Sequence, residues 1–302
     1  MTYEEALGYI VNGDGVFLVG SGFSIGAQNA LDGDDRHLLV GSDLAKKLAK
    51  LTDMDSDVQL DIVSQEYIDM YGEKQLIEYL KEHYTVEKYE EYYKSLAKVK
   101  NIRVYSTNYD DLIEKVCCEC GNKVKGYSID ADIRKVNKNR MVMHLNGYIK
   151  ELEGAMLPDS FKLSHLSYNN TKFFDTPWYS YLIDELHSAK VIFIIGLSFS
   201  SDLDIRRIVS DKELKDKIFF IEHENLSDSS RKFLDKYGRV LLCGVRSFLD
   251  DLAKTKIEER ADGKEVFYKS FKRASRHGNA NSPEDRDVYA LFFQWNREGR
   301  NI

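Results

Sequence analysis

Six short apolar runs constrain the fold of this chain: residues 16–20, 102–105, 141–145, 191–196, 218–221 and 240–243, all rich in Val, Ile, Phe and Leu. None alternates with polar residues and none is long enough for a core helix, so each reads as a strand buried on both faces. Between them lie segments with apolar residues at helical spacing, at 4–11, 42–51, 87–99, 110–118, 178–188, 227–236 and 248–257. Strand and helix therefore alternate, which predicts an α/β domain built on a doubly wound, mostly parallel sheet. One interval breaks the rhythm. Residues 58–96 carry Leu60, Val63, Tyr67 and Met70, then Leu76, Ile77 and Leu80, with no strand among them and a turn at Tyr71-Gly72. That is too long for a simple crossover, so an inserted helical module of about residues 55–100 is expected, set into or beside the sheet.

The charge balance narrows the partners. Forty-three basic against 50 acidic residues leave a net charge of −7, which gives no general attraction to phosphate backbones or anionic lipid. Neither nucleic acid nor a membrane is expected: the longest apolar run falls far short of the roughly 20 residues that span a bilayer, and the acidic start Met1-Thr2-Tyr3-Glu4-Glu5 has no signal-peptide core. A cytoplasmic protein is the expectation. Three prolines in 302 residues and 12% aromatic residues argue for an ordered, packed chain. Cys117, Cys118, Cys120 and Cys243 lack the second Cys or His pair of a structural zinc site, so reduced thiols and no metal are expected. The composition shifts only near the end. Lys269, Lys272, Arg273 and Arg276 form a basic cluster, residues 278–283 read as a loop, and the apolar segment 288–295 either docks on the body or offers an oligomer or partner surface. The expected division is one domain over 1–257 and an extension over 258–302.

Four motifs follow strands. The first strand runs into Gly20-Ser21-Gly22-Phe23-Ser24-Ile25-Gly26, where glycines let a ligand approach the backbone, and free N–H groups with two hydroxyls can hold a pyrophosphate. The same residues match the Gly-x-Ser-x-Gly elbow of serine hydrolases, but Ser24 lies four residues past Gly20 instead of on the tight turn leaving the strand. A bare glycine turn is the plainer alternative. The second motif, Ser106-Thr107-Asn108-Tyr109-Asp110, either caps a helix or uses the Asn108 amide to hold ribose hydroxyls or a water. In the third, His144-Leu145-Asn146-Gly147, period-two geometry puts His144 and Asn146 on one face, either packed or aimed together into a crevice. The fourth is Gly196-Leu197-Ser198-Phe199-Ser200-Ser201-Asp202, with Ser201 or Asp202 as a helix cap. All four sit at carboxyl ends of expected parallel strands, the edge where open α/β sheets bind ligands.

Together these motifs resemble the sirtuin-like NAD-consuming domains of bacterial antiphage defence, over roughly residues 14–245, with Thr107-Asn108-Tyr109-Asp110 the most specific block. The resemblance implies a Rossmann-like sheet with a helical module and hydrolysis of NAD, the substrate, to nicotinamide and ADP-ribose. It implies that Gly20, Ser21, Gly22 and Ser24 cradle the diphosphate, that Thr107 and Asn108 sit at the nicotinamide ribose, that Asp110 orders their turn, and that Gly196 and Ser198 border the adenosine half. The family's catalytic histidine directly precedes a glycine. Here Asn146 holds that place and His144 stands two residues earlier, about 6 to 7 Å along a strand. Either His144 reaches in as the base toward ribose or water, or Asn146 has taken a binding role. The cysteine pairs of sirtuin deacylases are missing, so lysine deacylation is less favoured. The expected activity is an NAD glycohydrolase in which Asn108 positions ribose and water, with a non-catalytic NAD or ADP-ribose sensor as the alternative. An enzyme that destroys NAD needs control, so a homo-oligomer or a separate activating sensor protein is expected.

Overall fold

All six apolar runs are strands in the computed structural model, which describes residues 1–163, 172–199 and 202–257. The basic cluster, the 278–283 loop, the 288–295 segment, Ser200 and Ser201 lie outside the described residues. In chain order the strands are β1 (Gly15–Val19), the two-residue β2 (Ala27–Gln28) and β3 (Lys88–Tyr89), β4 (Arg103–Ser106), β5 (Lys125–Ser128), β6 (Met141–His144), β7 (Val191–Ile195), β8 (Ile218–Ile221) and β9 (Arg239–Leu241). Seven form one sheet in the order β5-β6-β4-β1-β7-β8-β9, and every pairing in it is parallel. β2 and β3 make a small antiparallel ribbon of their own.

The helices are α1 (Tyr3–Val11), α2 (Gly41–Leu51), α3 (Leu60–Tyr71), α4 (Glu73–Tyr84), α5 (Leu112–Glu119), α6 (Pro177–Ser188), α7 (Leu203–Val209), α8 (Asp228–Leu234) and α9 (Gly244–Lys254). They cover both sheet faces, and strand periodicity sorts the core accordingly. Phe17, Val19, Val104, Phe193 and Phe219 share one core with α1, α5 and α9. Val16, Leu18, Tyr105, Ile192 and Phe220 share the other with α6 and α7. A helical module forms between β1 and β4, but it starts earlier than residue 55, because α2 belongs to it, and its last helix ends at Tyr84. α2, α3 and α4 pack through Leu44, Leu48, Val63, Tyr67, Leu76 and Leu80, and Gly72 makes the turn with φ +87°, a conformation that favours glycine. The same cluster includes Tyr109, Tyr148 and Phe161, so the module braces the segments that leave β4 and β6.

Two elements differ from expectation. β5 is a seventh strand with the sequence Lys-Gly-Tyr-Ser; it lies at the sheet edge, where no apolar run marks it. Residues 87–99 are not an α-helix: β3 is followed by a 3₁₀ segment, Glu91–Lys98. The buried Tyr93, Leu96 and Val99 recur every three residues, the period of a 3₁₀ turn. From β1 the chain moves toward β4, and from β7 toward β8, on the opposite side. The topological switch point therefore lies between β1 and β7, at their carboxyl ends.

Candidate active site

At the switch point the loops after β1 and β7 touch backbone to backbone. The Gly20 N–H donates to the Ile195 carbonyl at 3.0 Å and the Gly22 N–H to the Gly196 carbonyl at 2.9 Å. A Cβ on Gly20 would lie 2.6 Å from the Gly196 oxygen, and one on Gly196 would lie 2.3 Å from the Phe23 nitrogen. Gly196 also has φ +61°. These glycines are thus required by contact between the two loops, and Gly20 and Gly22 have already spent their N–H groups there. Ser24, only 3% exposed, is also turned inward, donating its hydroxyl to Asp110 Oδ2 at 2.9 Å. Of the four residues expected to cradle a diphosphate, Ser21 alone keeps a half-exposed hydroxyl without a hydrogen bond among the described residues. No histidine hydrogen-bonds Ser24 among the described residues, so nothing there completes a serine-hydrolase triad.

Asn108 follows β4 and is held at four points. Its backbone N–H donates to Ser106 Oγ at 3.0 Å and its carbonyl accepts from His144 Nδ1 at 2.8 Å. Its Nδ2 donates to the Gly20 carbonyl at 3.0 Å and to Ser24 Oγ at 3.1 Å. The Gly20 carbonyl can only accept, which fixes the amide orientation. Both Nδ2 protons are then committed, and Oδ1 is left as the acceptor of this 8%-exposed side chain. Helix capping does not account for Asn108: α5 starts at Leu112 with Asp111 as its N-cap residue. Asp110 instead orders the turn, with Oδ1 accepting the Leu112 N–H at 3.2 Å. Burial pushes the Asp110 carboxyl up to about 6, against the lowering effect of the Ser24 and Leu112 hydrogen bonds. Beside it, the Thr107 carbonyl accepts from Asn146 Nδ2 at 3.2 Å, so Thr107, Asn108 and Asn146 come together at one edge.

His144 does not share that edge. Its ring is 1% exposed, stacked on Tyr148 with centroids 4.2 Å apart, and its Nε2 lies 2.8 Å from Glu114 Oε1. With Nδ1 on the Asn108 carbonyl, both ring nitrogens are engaged, which corrects the expectation that His144 reaches into the crevice as a base. Burial lowers the affinity of the imidazole for a proton, but Glu114, the Asn108 carbonyl and Asp110 outweigh it and hold the pKa above its ordinary value. Glu114 was not foreseen. Its signal is positional: it lies three residues before the buried Cys117 on α5, a carboxylate on an otherwise apolar face.

The fourth motif forms the other wall. Asp202 is the N-cap residue of α7 without a side-chain capping bond, and its N–H donates to the Ser198 carbonyl at 2.8 Å. Burial and the neighbouring Asp204 push its carboxyl up to about 6, with Lys162 opposing them; Lys162 Nζ itself pairs with Asp204 at 2.6 Å. Beyond Gly196 and Ser198 opens a cleft of about 610 Å³, also lined by Arg206, Glu222, Ser230 and Phe233. Glu222, at the end of β8, has its carboxyl pushed up to about 7 by burial, and its carboxylate meets no hydrogen-bond donor among the described residues. Sequence reasoning missed it because the polar residues after β8, Glu222-His223-Glu224-Asn225, form no motif. Among the described residues no cluster of His, Cys, Asp and Glu could hold a metal ion, all four cysteines are free thiols, and no helix is long and apolar enough to cross a membrane.

No curated protein matches the chain. Solved structures similar to it include a Sir2 homologue–NAD complex, with TM-score 0.42 and 17% identity over 84% of this chain and 93% of that one. An ADP-ribose complex of a Sir2 homologue variant has TM-score 0.44 and 16% identity over 84% and 96%. A structure described as a basis for the mechanism and regulation of Sir2 enzymes has TM-score 0.45 and 10% identity over 84% and 97%. Within the chain itself, residues 102–242, the stretch that holds Asn108, Glu114, His144, Gly196 and Glu222, match the family model described as a SIR2-like domain.

Proposed function

We propose that this chain is an NAD glycohydrolase that cleaves NAD to nicotinamide and ADP-ribose, depleting NAD in antiphage defence. The observation that carries the reading is Asn108, pinned through backbone and side chain so that Oδ1 remains to meet a ligand at the sheet's carboxyl edge. The match of residues 102–242 to a SIR2-like domain supports a nicotinamide dinucleotide as that ligand. In the reaction the bond between ribose C1′ and the nicotinamide nitrogen breaks, its electron pair leaving with nicotinamide. Water supplies the new C1′–O bond, and its proton passes to solvent. A dissociative centre of this kind asks the protein mainly for positioning and a fixed electrostatic environment. Asn108 Oδ1 accepts a hydrogen bond from a ribose hydroxyl or the attacking water, with Thr107 and Asn146 bordering that ribose. Ser21 faces the diphosphate. Gly196, Ser198 and the adjoining cleft take the adenosine half, where Glu222 accepts from the ribose diol. His144 serves through Asn108, by fixing its carbonyl.

The test is release of nicotinamide and ADP-ribose from NAD by wild type and Asn108→Ala, assayed alone and in extract of infected cells, since activation by self-assembly or by a separate sensor belongs to this reading. The expected loss for the variant is about 10²- to 10³-fold; full release by Asn108→Ala sinks the assignment. A second reading, a module that binds NAD or ADP-ribose without cleaving it, is favoured by the closed ring of His144 and by Asn146 where the resembling family has its histidine. Calorimetric NAD binding without nicotinamide release under any of these conditions selects it.

A further inference from the structure

Glu114 is a buried carboxylate that the proposed reaction does not use. Its Oε1 meets His144 Nε2 at 2.8 Å, while its Oε2 is buried with no hydrogen-bond partner among the described residues. Keeping such a group is costly unless its charge has a task. The geometry points to one: we infer that Glu114 is a positioning residue that keeps His144 doubly protonated, so that a charge-assisted hydrogen bond from Nδ1 locks the Asn108 peptide with Oδ1 turned to the substrate. Its kinetic consequence rests on the NAD glycohydrolase reading.

Hydrogen-bond chemistry on the two sides of the ring supports this. The Asn108 carbonyl can only accept, so Nδ1 carries a proton. An ionised Glu114 likewise demands a proton on Nε2, making the ring an imidazolium and its bond to Asn108 stronger than one from a neutral ring. The groups around the ring are consistent with that state. Glu114 faces it from α5, Asp110 from the turn before α5, and the Tyr148 phenol from the segment after β6; its partners across the sheet, Ser106 and Ser128, are uncharged. Tyr148 is held far above its ordinary pKa by burial and by Glu114, so it stays neutral. Gly126 leaves room for this arrangement, since a Cβ there would lie 2.2 Å from Glu114 Oε1.

The experiment reads the proton directly. In full-length protein labelled with ¹⁵N-histidine, both His144 ring nitrogens should remain protonated above the pH at which a free imidazole loses its proton, and Glu114→Gln, which retains a polar partner without the charge, should lose the Nε2 proton at lower pH than wild type. A wild-type ring with one protonated nitrogen at neutral pH overturns the inference, whether or not the protein cleaves NAD and whether or not the variant folds. Where cleavage is measurable, Glu114→Gln should lower kcat roughly 10- to 100-fold with little change in KM, and Glu114→Asp should recover part of it. Unchanged kcat and pH profile in a folded Glu114→Gln overturns the inference while leaving the glycohydrolase intact. No nicotinamide release by wild type, beside a doubly protonated His144, removes the glycohydrolase and leaves the proton assignment standing.

Discussion

The two ends of β4 carry buried polar networks of opposite design. At the amino end Arg103 pairs with Glu185 at 3.0 Å and donates to the Gly13 and Gly15 carbonyls. Glu185 also accepts from Tyr105 at 2.7 Å and Tyr181 at 3.1 Å. Charge meets opposite charge directly, and the Arg103 and Tyr105 contacts tie β4 to α6. At the carboxyl end, three residues on, Asn108, Ser24, Asp110, His144 and Glu114 form a chain of hydrogen bonds. That chain leaves Asn108 Oδ1 as an uncommitted acceptor, and it holds Asp110, whose carboxyl burial pushes up to about 6. In the first network Arg103 Nε is a buried donor without a partner among the described residues; in the second Asn108 Oδ1 is the uncommitted acceptor. On the proposed function, the strand serves stability at its start and chemistry at its end.

Variants at the two ends should separate these roles. The largest effect is expected for Glu185→Ala, which strands Arg103 in the interior: a loss of about 3 kcal/mol or more of stability, read as a fall in the urea midpoint, with a folded residue of protein still able to turn over NAD. Asn108→Ala should do the reverse. It abolishes most nicotinamide release, while its stability falls by only about 1–2 kcal/mol for two lost hydrogen bonds. If it instead unfolds the protein as severely as Glu185→Ala, the two networks are not different in kind. Gly196→Ala tests the contact between the loops. With φ +61° and the Phe23 nitrogen in the way, it should cost about 1–3 kcal/mol and weaken NAD binding together; unchanged binding would detach that contact from the site.

The smallest expected effect concerns pH. On the proposed reading, an ionised Glu222 accepts from both hydroxyls of a ribose diol more strongly than the protonated acid, and burial pushes its pKa up to about 7. NAD affinity should therefore weaken as pH falls through about 7 and be regained above it, by up to about tenfold for one charged hydrogen-bonding group. Titration calorimetry with Glu222→Gln should give a flatter profile over the same range. An identical profile in the variant would move the adenosine half out of this cleft.

Much of the fold was legible from local pattern because a parallel strand buried on both faces must be apolar at every position, as in Val191–Ile195. The helical module was legible from spacing and from one glycine turn. β5 was hidden because an edge strand can be Lys-Gly-Tyr-Ser and still pair with β6. The 3₁₀ segment was read as α-helical because apolar residues three apart, Tyr93, Leu96 and Val99, suit either period over so short a stretch. In the site, the position of Asn108 after a strand was legible, but its partners were not: Ser24 is 84 residues away and His144 is 36.

The sequence by itself determined which apolar segments become the central strands, that these align in a parallel sheet, and that Gly, Ser, Asn and Asp residues collect at one edge. Those properties depend on burial patterns and chain-local chemistry. Tertiary structure alone decided the task of each polar side chain there. It spent the glycines on loop contact, turned Ser24 inward, enclosed His144 with Glu114 and Tyr148, and left Asn108 Oδ1 and Glu222 uncommitted. A polar side chain's role is set by whether its hydrogen-bonding groups are already satisfied, and that depends on neighbours brought together across the fold.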